Sequence, residues 1–279
     1  MTGGRARPHN RRVAAPHRAR LLSRILGVMA LLALAVRADA DMTEIRKRGQ
    51  LRVLVAEGTL PQFFTWKGNA RPGLEREVIQ GFCRLQRLDL AIVPVSSHSL
   101  LVAGLLKGDA DLAAGGLAAG DLSHDDLELS AEVLPSRHVV VTRKPNPTVL
   151  TLEELRAQKV GTVRGSALAQ AVAAAGVPAA KIDDTHGVAD LMSALKGDLG
   201  ACVVGIEQAL PAQREDGALE IGMYLGGRLS RGFALRKGDR ELRGALNEYI
   251  SNLRRSPAFN RLVLSHFGDS AADILKATR

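Results

Sequence analysis

The chain has 279 residues, with 38 Lys and Arg against 29 Asp and Glu, a formal charge of +9. Eight arginines (Arg5, Arg7, Arg11, Arg12, Arg18, Arg20, Arg24, Arg37) and one acid, Asp39, fall within the first 40 residues; the remainder has 30 basic and 28 acidic residues, a net charge of +2. The basicity therefore belongs to the N-terminal segment, and with no basic stripe interleaved with aromatics further on, nucleic-acid binding is set aside.

In that segment an apolar run at 25–36 follows most of the arginines, and Ala38-Asp39-Ala40 follows the run. A positive stretch, a short apolar core and a small-x-small site read as a secretory signal peptide, with cleavage expected after Ala40. The apolar run is shorter than the roughly 20 residues a membrane-spanning helix needs, so no stable membrane insertion is expected after cleavage.

From residue 51 the pattern alternates between strand and helix. Residues 51–56 read as a strand, 74–87 as an amphipathic helix, 90–95 as a strand, 100–107 as a helix and 110–114 as a strand. Further on, Thr151 and Glu154 form a capping-box signal. Residues 159–163 read as a strand, 166–175 as an Ala-rich helix closed by Gly176, 188–196 as a helix and 201–204 as a strand. Such alternation predicts an α/β fold with parallel-type sheets covered by helices. Helices at 241–254 and 257–267 close the chain.

One internal match stands out. Leu105-Leu106-Lys107-Gly108-Asp109 leads into an apolar strand ending at Gly115-Gly116, and Ala194-Leu195-Lys196-Gly197-Asp198 into one ending at Gly205. Two copies of one αβ turn imply two lobes of like build, with Gly116 and Gly205 in equivalent places. Prolines around 133–147 mark one crossing between lobes, and an irregular stretch at 226–230 marks a second. The expected division is a signal peptide at 1–40, lobe 1 from 41–134 with 231–279, and lobe 2 from 135–230. A cleft between lobes is a usual ligand site. Cys83 and Cys202 each lie in apolar patterns and read as small buried hydrophobes. No metal-ligand spacing occurs, and neither a cofactor nor a metal is expected.

The order Leu51-Arg52-Val53, Pro61-Gln62-Phe63, Gly73-Leu74-Glu75, Gly108-Asp109-Ala110-Asp111, Gly116-Leu117, Val160-Gly161-Thr162-Val163-Arg164-Gly165-Ser166 and Phe233-Ala234-Leu235-Arg236-Lys237-Gly238 resembles the family 3 extracellular solute-binding proteins. The likeness spans 49–268 and looks closest to the binding domains fused to membrane-bound lytic transglycosylases. It implies a two-lobed, type II periplasmic-binding-protein-like fold, monomeric and non-catalytic, that closes on a small molecule for an ABC importer with its permease. In amino-acid-binding members, the resemblance implies a Thr or Ser after the Gly-Leu strand end, an Arg five residues later and an acid ending the second lobe's matching strand. Here those positions hold Ala118, Ser123 and Gly205, with Glu207 two residues beyond. An α-amino acid is therefore not the expected ligand; a small polar or anionic solute is.

Candidate ligand residues follow from both readings. Phe63, Phe64 and Trp66 concentrate three aromatics in the loop after the first strand, able to wall a pocket or to cap the lobe's own core. Glu57 ends that strand, and His98 takes the place of an aromatic over the ligand. Gly116, Ala118 and Ser123 follow the third strand. Arg164, Gly165 and Ser166 precede a helix whose N-terminal N–H groups suit an anion. Glu207 either replaces the missing acid or simply opens the next helix. The acid-rich stretch 121–128 reads as a solvated loop.

Overall fold

The computed structural model describes residues 1–2, 42–66, 71–122 and 124–277. The expected signal peptide with its cut after Ala40, and the candidate Ser123, lie outside the described residues.

The first half builds from α1 (Met42–Arg48), β1 (Gln50–Ala56), α2 (Leu74–Gln86), β2 (Asp89–Val95), α3 (His98–Lys107) and β3 (Leu112–Leu117), followed by a 3-10 turn at Ala119–Asp121 and β4 (Leu127–Leu129). Helix α2 buries Leu74, Val78, Ile79, Phe82 and Cys83, the stripe that three- and four-residue spacing lays on one face. Helix α3 stops where Gly108, at φ 80°, turns left-handed and its N–H returns to the helix carbonyls. Strand β5 (Leu134–Arg143) then leads into α4 (Leu152–Ala157), β6 (Val160–Gly161), α5 (Ala167–Ala174), β7 (Ile182–Asp183), α6 (Leu191–Ala194), β8 (Ala201–Gly205) and α7 (Ile206–Glu215). The Thr151 capping box closes as its sequence implies: Thr151 Oγ1 accepts from the Glu154 N–H at 3.2 Å, and Glu154 Oε2 accepts from the Thr151 N–H at 3.0 Å. Strand β9 (Leu219–Arg236) and helices α8 (Arg240–Arg254), α9 (Pro257–Phe267) and α10 (Ser270–Ala277) complete the chain.

The strands order as β2-β1-β3-β9-β5-β8-β6-β7, with β4 also on β9. β1 runs parallel to β2 and β3, and β6 runs parallel to β7 and β8, while β9 and β5 are antiparallel to their neighbours. Outward from the centre both halves repeat one order, an antiparallel strand followed by the strand after the Gly-Asp turn, which fits the internal match at Gly108 and Gly197. Three apolar cores lie among the described residues. One gathers Val53, Phe82, Phe233, Leu246 and Ile274, a second gathers Val140, Val160, Leu191, Val203 and Leu219, and a third gathers Leu54, Leu101, Leu105, Ala113 and Ala234. Leu210 packs against the first two. The expected two-lobed α/β architecture is present.

The expected irregular stretch at 226–230 is instead part of β9, which runs unbroken for 18 residues from the second core to the first. Its backbone groups find partners on β5, with Ser136 opposite Leu229 and His138 opposite Leu225. The register shift between those pairs, and Gly226 at φ 77°, record the irregularity the glycines announced. Cys83 and Cys202 are buried free thiols, and burial raises both, Cys202 to about 12.

Candidate ligand-binding cleft

The parallel strands of both lobes point their carboxyl ends at a common cavity of about 480 Å³. Residues 57–59 follow β1, 96–99 follow β2, Gly115 and Gly116 lie in β3, 163–168 follow β6, 184–188 follow β7, Gly205 ends β8, and Glu207 and Gln208 follow it; each set lines the cavity. The crossing strands contribute His138 and Arg231. Open α/β sheets place ligands outside the carboxyl ends of their strands, because loops diverge there and helix N-termini converge.

Its floor is a network of buried charge. Glu75, in the first turn of α2, is fully buried and accepts from the N–H groups of Gly115 at 2.7 Å and Gly116 at 3.1 Å. Burial pushes its carboxyl up to about 7, although those N–H groups and Arg231 pull the other way. Gly116 sits at φ 75°, and a Cβ there would lie 3.0 Å from the Phe63 ring, so glycine is required both by conformation and by the ring. Arg231 pairs with Glu207 at 2.5 Å, with side chains 10% and 1% exposed. It also donates to the Gly116 carbonyl and lies 5.7 Å from the Phe63 ring centre. The Ser136 hydroxyl donates to the other Glu207 oxygen at 2.5 Å. Burial and the nearby Arg231 push His138 down to about 4, so its imidazole is neutral at neutral pH.

A second carboxylate joins the lobes. Asp121 Oδ2 accepts from the Ala118 N–H at 2.7 Å, and Oδ1 accepts from the Ala167 N–H, the first residue of α5, also at 2.7 Å. His98 Nε2 stands 3.4 Å from Oδ1. Burial alone would raise Asp121, but His98 and the two N–H groups outweigh it and hold the carboxyl below its usual range. Alongside, Gln170 Nε2 donates to the Gly120 carbonyl at 2.6 Å.

Of the sequence-derived candidates, Glu57, Phe63, His98, Gly116, Arg164, Gly165, Ser166 and Glu207 line the cavity together. Phe63 is only 2% exposed and stacks edge-on with Phe267 at 6.2 Å, so it belongs to the lobe 1 core while touching the cleft. Phe64 is buried in that core, and Trp66 packs against it; both border a smaller hollow of about 160 Å³ rather than the main cavity. Ala118 is buried with its N–H held by Asp121 and does not line the cavity. Arg164 is exposed at the rim in a bidentate pair with Asp184, at 2.7 and 3.0 Å, rather than turned inward in place of the arginine missing at 123. Ser166 caps α5, its hydroxyl accepting from the Ala169 N–H at 3.4 Å. The Glu207 carboxylate lies where a side chain on Gly205 would begin: a Cβ there would fall 2.1 Å from Glu207 Oε1. Asp121 corrects the reading of 121–128 as solvated, since a buried helix N-terminus gives its charge better partners than water. Asp121, Glu75, His138, Gln208 and Arg231 were not singled out as ligand residues. Only Glu75 carried a signal, its place in the Gly73-Leu74-Glu75 motif.

The model of the bacterial extracellular solute-binding proteins, family 3, matches residues 51–269. The chain belongs to that family. This family 3 member matches no curated protein. Among solved structures it is similar to a substrate-binding protein of an ABC uptake transporter from Streptococcus pneumoniae with bound histidine, at 18% identity and TM-score 0.72, over 84% of this chain and 98% of that one. It is also similar to a mutant of ArgBP from T. maritima, at 22% identity and TM-score 0.70, over 81% and 99%. A third is the ancestral amino acid-binding protein AncCDT-1, a precursor of cyclohexadienyl dehydratase, at 22% identity and TM-score 0.70, over 81% and 98%. At these identities the likeness speaks for the fold. Among the described residues of this family 3 chain, no helix is long and apolar enough to cross a membrane.

Proposed function

We propose that this family 3 protein is a periplasmic receptor that holds a small polar solute between its lobes and delivers it to an ABC importer, without catalytic chemistry of its own. The cavity at the shared strand ends carries the reading: about 480 Å³ is room for a small metabolite, lined from both lobes. Of the polar and anionic solutes expected from sequence, the polar class is favoured, because Asp121 already takes the Ala167 N–H that would attract an anion. Export through the N-terminal segment with cleavage after Ala40, a monomeric state and a cognate permease complete the proposal. Its test is a melting-temperature screen against a broad metabolite panel, where a ligand at one hundred times its dissociation constant adds about 2.7 kcal/mol. A screen without any response, and no small molecule in native mass spectra, refutes the receptor.

A second reading is a binding fold turned interaction or sensory module. The observation favouring it is that the chain's own Arg231 already satisfies Glu207 in the cleft. A stable protein partner recovered without any small-molecule response is its expected signature.

A further inference from the structure

The cleft contains two ionic seats, each filled from within. The N-terminus of α5 gathers orphan N–H groups and the positive end of the helix dipole, a natural place for an anion. Asp121 occupies it from the opposite lobe, with Oδ1 on the Ala167 N–H at 2.7 Å. The Glu207 carboxylate is a natural place for a cation, and Arg231 occupies it at 2.5 Å. At the rim Arg164 and Asp184 neutralise each other.

Against these matched charges, two buried polar atoms of cavity-lining residues have neither a hydrogen bond nor an ion pair among the described residues, whereas His98 Nε2 and Arg231 Nε, also without hydrogen bonds, face Asp121 and Glu207. His138 is 4% exposed and its Nε2 makes no hydrogen bond. Gln208 is 6% exposed; its Nε2 donates to the Val188 carbonyl at 2.8 Å, which fixes the amide and leaves Oε1 without a donor. Buried polar atoms without partners are rare and costly unless something else satisfies them.

We propose that the cleft selects an uncharged polar solute, because Asp121 and Arg231 fill its anion and cation seats and His138 and Gln208 supply the hydrogen bonds that read the ligand. This rests on the receptor reading and names its ligand class. A zwitterion would have to displace both internal ions, leaving Arg231 and Asp121 buried without their partners. A neutral solute displaces neither; it needs a donor for Gln208 Oε1 and a donor or acceptor for the neutral imidazole. The apolar walls, Leu60, Phe63, Val163, Leu168 and Val188, suit the face of such a molecule.

The test is calorimetric titration of the purified protein with two sets of probes at millimolar concentration. Glucose, cytidine, thymine and cyclic glycylglycine form the neutral set; L-arginine, L-histidine, L-glutamate, acetate, phosphate and putrescine form the charged set. Saturable binding confined to the neutral set is the expected result. Saturable binding of a charged probe overturns the ligand class while leaving the receptor standing; silence in both sets also overturns the ligand class, and the receptor itself falls only with a silent broad panel and empty native mass spectra. For the neutral probe that binds, His138→Phe and Gln208→Leu each weaken affinity roughly fivefold to tenfold, the worth of one neutral hydrogen bond. Affinity unchanged in both variants, each folded by circular dichroism, removes their assigned role. Asp121→Ala frees the α5 N-terminus, so acetate or L-glutamate, inert toward the parent, gains saturable binding. If that variant does not fold, Asp121→Asn is titrated instead. A folded variant as indifferent to both anions as the parent refutes Asp121 as the occupant of an anion seat.

Discussion

Replacing Arg231 with Met removes one member of a buried ion pair and leaves the other in place. Glu207 is 1% exposed, and its remaining side-chain partner is the Ser136 hydroxyl at 2.5 Å. An uncompensated charge in such a setting costs about 3–5 kcal/mol. The Gly116 carbonyl also loses a donor, and the Phe63 ring loses a cation 5.7 Å from its centre. For a domain of this size about 1 kcal/mol moves the melting temperature by about 2–4 °C, so the variant should melt roughly 10 °C lower or more. Urea unfolding followed by circular dichroism gives the free energy directly. The double variant Arg231→Met with Glu207→Gln is the control: the amide keeps a partner for Ser136 but carries no charge, so it should recover most of the loss. If the single variant stays within 1 kcal/mol of the parent, or the double variant is no better than the single, Glu207 is not held as a buried anion by Arg231 and the charge-matched cleft is wrong.

Acidification separates two buried groups of opposite sign. His138 is depressed to about 4, so below the ordinary histidine range of about 6.5 the unfolded chain binds a proton that the folded chain refuses, and its contribution falls as pH drops from about 6.5 to 4. Glu75 is raised to about 7, so its contribution is present at low pH and falls as pH rises from about 4.5 to 7. The two slopes oppose, and Glu75→Gln should make stability fall more steeply on acidification than in the parent, as urea midpoints between pH 4 and 7 will show. Asp121, held low, keeps its contribution until pH falls below the ordinary aspartate range. Gly205→Ala drives a Cβ to within 2.1 Å of Glu207 and 2.6 Å of Arg231 and should cost about 1–3 kcal/mol by thermal melting; a neutral result means the pair can shift freely. Phe63→Ala should cost about 3–5 kcal/mol without any ligand, because the ring is core as well as cleft; a purely ligand-facing aromatic would leave stability untouched.

Local sequence pattern determined the α/β class, the Thr151 capping box and the matching Gly-Asp turns at Gly108 and Gly197, because these follow from side-chain spacing and backbone preference within a few residues. The family motifs likewise placed Phe63, Gly116, Gly165 and Ser166 near one another, since their order along the chain fixes strand ends. Charge was different. Nothing local distinguishes Asp121 from the acids around it, or Arg231 from other arginines, and Glu207 fits a first-turn acid equally well. Their fate was decided where β5, β9, α5 and the 3-10 turn meet, in a low-dielectric space in which a carboxylate keeps its charge only beside a cation or a set of N–H groups. Burial and partners brought together across 46 to 115 residues of chain are properties of the assembled fold.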